Sequence, residues 1–182
     1  MSRARTLKEI EDRRAQYSKR IWSAVLLSIV ASVLGISVYI GLGLPSYFIF
    51  GELPNVMLIA SFLTSIFSAV SGYLSKSGVM RGEYGSANKL LNGAVALATI
   101  SLVVSASAIT PLIDPILNEI CQAVTTSVAS LPACLANLHM QVYAGFGAYL
   151  ALLLISLIFY ILARGVLKAL FAYYAPRPIR RS

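Results

Sequence analysis

The chain has 182 residues, 58% of them hydrophobic and only 12% charged, with a mean hydropathy of +0.77 and a formal net charge of +8. Soluble domains carry about 25% charged residues, so this composition speaks against a water-soluble fold and for a chain whose solvent is a lipid bilayer.

Residues 1–20 read as a basic, amphipathic helix. Thr6-Leu-Lys-Glu9 matches a capping box, and Leu7, Ile10, Tyr17 and Ile21 make a narrow apolar stripe. Glu9 stands four residues before Arg13, the spacing of a helical ion pair. Such a helix either lies on the inner membrane surface or continues the first span into the cytoplasm. The first span, 21–44, reads IWSAVLLSIVASVLGISVYIGLGL. It is too long for a secretory signal and no small-residue cleavage pattern follows it, so a retained anchor is expected. Three more apolar runs follow, at 53–74, 90–112 and 143–163. None of the four contains Asp, Glu, Lys, Arg or His. Each reaches the roughly 20 residues that cross a hydrocarbon core of about 30 Å. Their residues do not alternate between polar and apolar, as barrel strands would, so helices are expected.

Lipid tails are as apolar as leucine, so hydrophobicity cannot hold such helices together, and small side chains must pack closely. They recur in register: Ala24, Ser28, Ala31 and Gly35 in the first span; Ser61, Ser65, Ser68 and Gly72 in the second; Ala94, Ala98, Ser101, Ser105 and Ala108 in the third. Alternating steps of four and three average 3.5 residues, which favours left-handed crossing at about 20°. A shorter version in the fourth span is Ala144, Ala148 and Ala151. The fold class expected is an all-α membrane protein with four transmembrane helices in a left-handed bundle, an amphipathic N-terminal helix and an extracytoplasmic helical cap between spans three and four. The fourth span looks extended, because nothing from Pro132 to Tyr174 forces a stop, although Gly145 and Gly147 are candidate bend points.

Orientation follows from the charges. Seven basic residues precede the first span, Lys76, Arg81 and Lys89 lie between spans two and three, and five follow span four. All 15 thus fall on one side, while the opposite loops carry Glu52, Asp114 and Glu119 and no Lys or Arg. An excess of Lys and Arg marks the cytoplasmic side, so both termini are expected there, in the cell membrane. Arg13, Arg14, Lys19, Arg20, Arg164 and Lys168, with Arg180 and Arg181 in the basic tail at 175–182, are candidates for docking anionic lipid headgroups or a protein partner. Specific nucleic-acid binding is not expected. Tyr17 and Trp22, then Tyr47, Phe48 and Phe50, then Tyr73, Tyr160, Tyr173 and Tyr174 are expected at the two headgroup levels.

The outer segment 113–142 holds both cysteines, Cys121 and Cys134, and the single histidine, His139. Asp114 and Pro115 look like the cap and first turn of a separate helix carrying Leu117, Ile120, Val124, Val128 and Leu131 on one face. Pro132 would then break it and open the next. Outside the cytoplasm thiols oxidise, so a Cys121–Cys134 disulfide is the preferred reading over a pair of free buried thiols. A structural zinc site wants four ligands and only His139 is at hand, and no basic residue stands on this side to activate a thiol. No metal, cofactor or catalytic residue is expected: the spans lack intramembrane ionisable groups, and no hydrolase, metalloprotease or phosphate-loop motif is present. Four spans with a cysteine-bearing outer loop resemble tetraspanins and claudins in outline, but their cysteine motifs are absent and no function follows from the likeness.

Two functions remain. The first is a non-catalytic structural or assembly subunit of a larger membrane complex, with protein partners or copies of itself. The second is a small oligomeric pore or transporter lined by Ser and Thr, for which the second span comes closest with Ser61, Thr64, Ser65, Ser68, Ser71 and Ser75.

Overall fold

The computed structural model describes residues 2–41, 43, 52–124 and 130–174. They form four helices and, among the described residues, no strand: α1, Ser2–Gly41; α2, Glu52–Met80; α3, Tyr84–Val124; and α4, Leu131–Tyr174. Each contains a stretch long and apolar enough to cross a membrane. The helices form a closed ring in which α1 packs on α2 and α4, and α3 packs on α2 and α4.

Contacts fix an antiparallel register. Between α1 and α4, Ser28 meets Ser156 and Val38 faces Gly145. Between α2 and α3, Ser75, Ser68 and Ser61 meet Ala87, Ala94 and Ser101 in turn. Between α1 and α2, Tyr17 meets Ser75 and Tyr39 meets Asn55. The chain therefore runs up, down, up, down.

The elements are longer than the apolar runs. Residues 2–41, which take in most of the basic segment and of the first span, are one helix of 40 residues, so the N-terminal segment continues the span. Thr6 lies inside this helix rather than at its cap. The expected loop between spans two and three shrinks to three residues, Arg81–Glu83. Gly82 takes a left-handed conformation, φ 82°, and closes α2: its N–H donates to Val79 O and the Glu83 N–H to Gly78 O. That pair of bonds is a Schellman motif, and it satisfies carbonyls that a helix end leaves open. Gly78 lies against Ala87, which lets the two helices meet directly below the turn.

The separate cap expected at 113–142 is replaced by extensions of two spans. α3 runs through Pro111 and Pro115 to Val124, and α4 starts at Leu131. Asp114 is not a cap; its carboxylate accepts a 2.6 Å bond from the Tyr143 hydroxyl across the helix pair. Buried Leu112, Ile113, Ile116 and Leu117 keep this stretch helical despite the missing proline N–H groups. Residues 125–129, which include Val128 of the expected apolar helix face, lie outside the described residues.

The register has a further consequence. Gly41 is level with about residue 143 and Glu52 with about residue 110, so 113–124 and 131–142 extend past α1 and α2 as a two-helix prong of about 18 Å. At the other end Met80 is level with about residue 12, so the first turns of α1 project beyond α2.

Packing follows the 3.5-residue repeat. Among the described residues of α4 the buried positions are 142, 146, 149, 153, 156, 160, 163, 166, 167 and 170. These are not the alanines the sequence suggested: Ala144, Ala148 and Ala151 are exposed. Tyr149 and Tyr160 of α4, with Phe62 of α2, fill the space left by glycines on α1 and α2. A Cβ on Gly72 would stand 2.7 Å from Tyr160 Cε1, and one on Gly35 would stand 2.7 Å from Phe62 Cε1 and 3.0 Å from Tyr149 Cδ2. Edge-to-face contacts join Tyr39, Phe62 and Tyr149, at 6.0 and 5.5 Å between centroids. Gly72→Ala should lower stability by about 1–3 kcal/mol through overpacking, read as a lower unfolding midpoint in detergent. Gly147→Ala, where a Cβ meets nothing within 4 Å, is the neutral control. An unchanged midpoint for Gly72→Ala would show that Tyr160 has room to move.

Candidate functional site

The residues with chemistry fall into three places: a polar seam inside the bundle, the basic end and the prong.

The ten small residues singled out in the sequence, Ser28, Ala31, Gly35, Ser61, Ser65, Ser68, Gly72, Ala98, Ser101 and Ser105, are all buried between helices. The serines do more than make room. Ser101 Oγ donates to Ser61 O at 2.7 Å and Ser68 Oγ to Ala94 O at 2.8 Å, stitching α3 to α2. Ser156 Oγ donates to Ala24 O at 2.9 Å, so the Ser28 hydroxyl donates to Ser156 at 2.7 Å, stitching α1 to α4. Ser65 Oγ reaches Ser28 O at 3.3 Å from α2.

Sequence reasoning missed the tyrosines of this seam. Tyr17 and Tyr160 were expected at headgroup level, yet both are fully buried. Tyr17 donates to Ser75 Oγ at 2.6 Å, while Ser75 donates to Ala87 O, so three helices meet at one serine. Tyr160 donates to Ser68 O at 3.2 Å. Tyr149 donates to Ser105 Oγ at 2.9 Å and lies 3.3 Å from Ser61 Oγ. A signal was there: Tyr149, Ser156 and Tyr160 stand seven and then four residues apart, on one helical face. Buried hydroxyls need partners, and each finds one on a facing helix.

At the basic end, Arg14 Nε donates to the Tyr84 hydroxyl at 2.8 Å, with the guanidinium 5.6 Å from that ring. Arg20 donates to Leu162 O at 3.0 Å, and Arg13 pairs with Glu9 at 3.1 Å, as its spacing implied. Lys76 Nζ lies 4.8 Å over the Trp22 ring. Lys19, Arg164 and Lys168 are exposed. Arg180 and Arg181 lie outside the described residues, as do Tyr47, Phe48 and Phe50. Two grooves open here. One, of about 550 Å³, lies between α1 and α2; the other, of about 310 Å³, lies between α3 and α4 beside Arg164 and Lys168.

In the prong, Cys121 and Cys134 are joined by a disulfide with Cα atoms 5.9 Å apart, a normal span for the bond. His139 stacks on Tyr143 at 5.5 Å and lies 3.8 Å from the Asp114 carboxylate. Among the described residues no three His, Cys, Asp or Glu side chains come together.

The architecture defines the class: an all-helical protein with four helices long and apolar enough to cross a membrane and a disulfide-tied prong. No family model, curated protein or solved structure matches the chain.

The seam predicts a measurable coupling. In a double-mutant cycle between Tyr149→Phe and Ser105→Ala, unfolding in detergent should give a coupling energy of about 0.6 kcal/mol, and not above about 1.7. Strict additivity would show that the two hydroxyls do not bond.

Proposed function

We propose that the protein is a non-catalytic structural or assembly subunit of a larger complex in the cell membrane. In this reading the helices cross left-handedly, as the 3.5-residue spacing implies. The termini are cytoplasmic and the prong lies outside, as the distribution of Lys and Arg implies.

The observation that carries the reading is the outward face of α3. Ala96, Thr99, Ala106 and Ser107 are exposed there and Gly93 is half-buried, with Ile100 and Val103 between them. Bulk is exposed elsewhere, such as Val33 on α1, Phe67 on α2 and Ile158 on α4, and the other outward run of small residues is Ala144, Gly147, Ala148 and Ala151 at the prong end of α4. A Cβ on Gly93 would meet nothing within 4 Å, so the bundle itself has no need of glycine at that position. Small outward residues let a second helix approach closely. The projecting start of α1 and the prong give such a complex two further surfaces, one on each side of the membrane.

The pore or transporter reading has less support. Of the six polar residues it needs on α2, Ser61, Ser65, Ser68 and Ser75 are buried and bonded to other helices, and Thr64 donates to Ser61 O. The space between helices is filled by Tyr17, Phe146, Tyr149 and Tyr160, each without solvent exposure.

Two experiments test the proposal. Ala96→Leu with Ala106→Leu should leave the unfolding midpoint of the isolated protein within about 0.5 kcal/mol of its parent, as surface changes do. The same change should abolish recovery of a larger assembly after gentle extraction. A lone protomer from the unmodified protein, or ion flux through vesicles containing only this chain, would overturn the subunit reading. For orientation, an impermeant maleimide applied to intact cells after reduction should label Cys134, the less buried of the two cysteines, and a tag after Ser182 should become accessible only on permeabilisation. The reverse pattern would invert the topology.

A further inference from the structure

The groove between α1 and α2 is one furrow with two characters. Toward the basic end it is lined by Arg14, Lys19 and Lys76, with Glu11 as the single carboxylate. It then passes Trp22, which lines both parts, and becomes an apolar trough of about 310 Å³. Val25 and Ile29 form one wall of the trough and Ile66 and Val70 the other. Along α1 these positions advance by three to five residues at each step, 14, 19, 22, 25 and 29, and along α2 they retreat in parallel, 76, 70 and 66. The charge boundary coincides with the start of the first apolar run at Ile21.

We propose that this furrow is a binding site for one anionic phospholipid. Its phosphate sits among Lys19, Lys76 and Arg14, and one acyl chain lies along Val25, Ile29, Ile66 and Val70. Charge complementarity selects the headgroup, because three cations face one carboxylate. The change of lining at Trp22 selects a lipid over a soluble phosphate, because only an amphipathic molecule uses both halves. The dimensions agree: Trp22 to Ile29 is about 10 Å along the helix, within one leaflet of about 15 Å. Lys76 stands over the indole ring, which holds the ammonium at the level where headgroup phosphates lie. Arg14 is steadied by Tyr84 at the first turn of α3, so the cationic rim is braced by the bundle. The proposal rests on the reading that this chain spans a bilayer.

Trp22 is the only tryptophan and is 45% exposed, so its fluorescence reports on this furrow alone. The full chain is placed in phosphatidylcholine vesicles doped with either dibrominated phosphatidylglycerol or dibrominated phosphatidylcholine. Quenching by the brominated anionic lipid should half-saturate at a mole fraction lower by about fivefold for each contacting lysine. Lys19→Gln with Lys76→Gln should bring the two lipids to parity. Val70→Phe, which narrows the trough, should weaken quenching by both, and Lys168→Gln, in the groove between α3 and α4, should change nothing. Retained helicity by circular dichroism identifies variants that fold. Equal quenching by the two lipids in the parent protein would overturn the proposal. So would a preference that survives the lysine substitutions, or one that millimolar inorganic phosphate abolishes. If neither brominated lipid quenches Trp22 at all, the membrane reading itself fails along with the site.

Discussion

A bilayer removes the force that folds most proteins. Once four apolar helices are in lipid, bringing them together buries no surface from water, and association must come from close packing and from polar groups that lipid cannot satisfy. This protein meets that constraint with serine and tyrosine. Ser28, Ser61, Ser68, Ser75, Ser101, Ser105 and Ser156 sit at contacts between helices, and Tyr17, Tyr149 and Tyr160 bring hydroxyls into the same seam. Each hydroxyl left unpaired in hydrocarbon would be costly, so every bond in the seam is also a penalty on the separated state. The rest of the architecture depends on that seam.

Size complementarity and hydrogen bonding are one device here. Gly72 is small because Tyr160 fills its place, and Tyr160 is oriented so that its hydroxyl reaches Ser68 O, one turn away on the same helix. Gly35 stands in the same relation to Tyr149, whose hydroxyl reaches Ser105. A phenylalanine would fill the space and leave the bond unmade, while a smaller polar residue would make no contact with the glycine. Tyrosine does both at Gly72, and at Gly35 Tyr149 does so alongside Phe62, which fills space without a hydroxyl.

The two ends extend the same helices beyond the apolar runs and use different chemistry there. At the basic end, Arg14 meets Tyr84 and Arg20 meets a backbone carbonyl of α4, so cations tie three helices together while facing the headgroup level. At the prong, α3 and α4 continue without α1 and α2. A disulfide, the Tyr143–Asp114 bond and the His139–Tyr143 stack hold a pair that has lost two of its neighbours. A covalent tie suits a place where the core thins to two helices.

The sequence alone determined the number of helices long and apolar enough to cross a membrane, the 3.5-residue repeat of small residues in α1, α2 and α3, and the pairing of Cys121 with Cys134. Each is a local or compositional property: apolar run length, residue spacing, and two cysteines with no alternative partner. Only the tertiary structure decided which face of α4 looks inward. Two periodic stripes compete there, Ala144–Ala148–Ala151 and Tyr149–Ser156–Tyr160, and small size alone favoured the wrong one. The choice depends on the space left by Gly35 and Gly72 on other helices, which spacing within α4 cannot reveal. The same holds for the prong and the lipid-sized furrow. Proline at 111 and 115 reads locally as a break, but burial of Ile113, Ile116 and Leu117 carries the helix through it. A furrow between α1 and α2 exists only once their register is set, and that register is fixed by contacts between residues far apart in the chain.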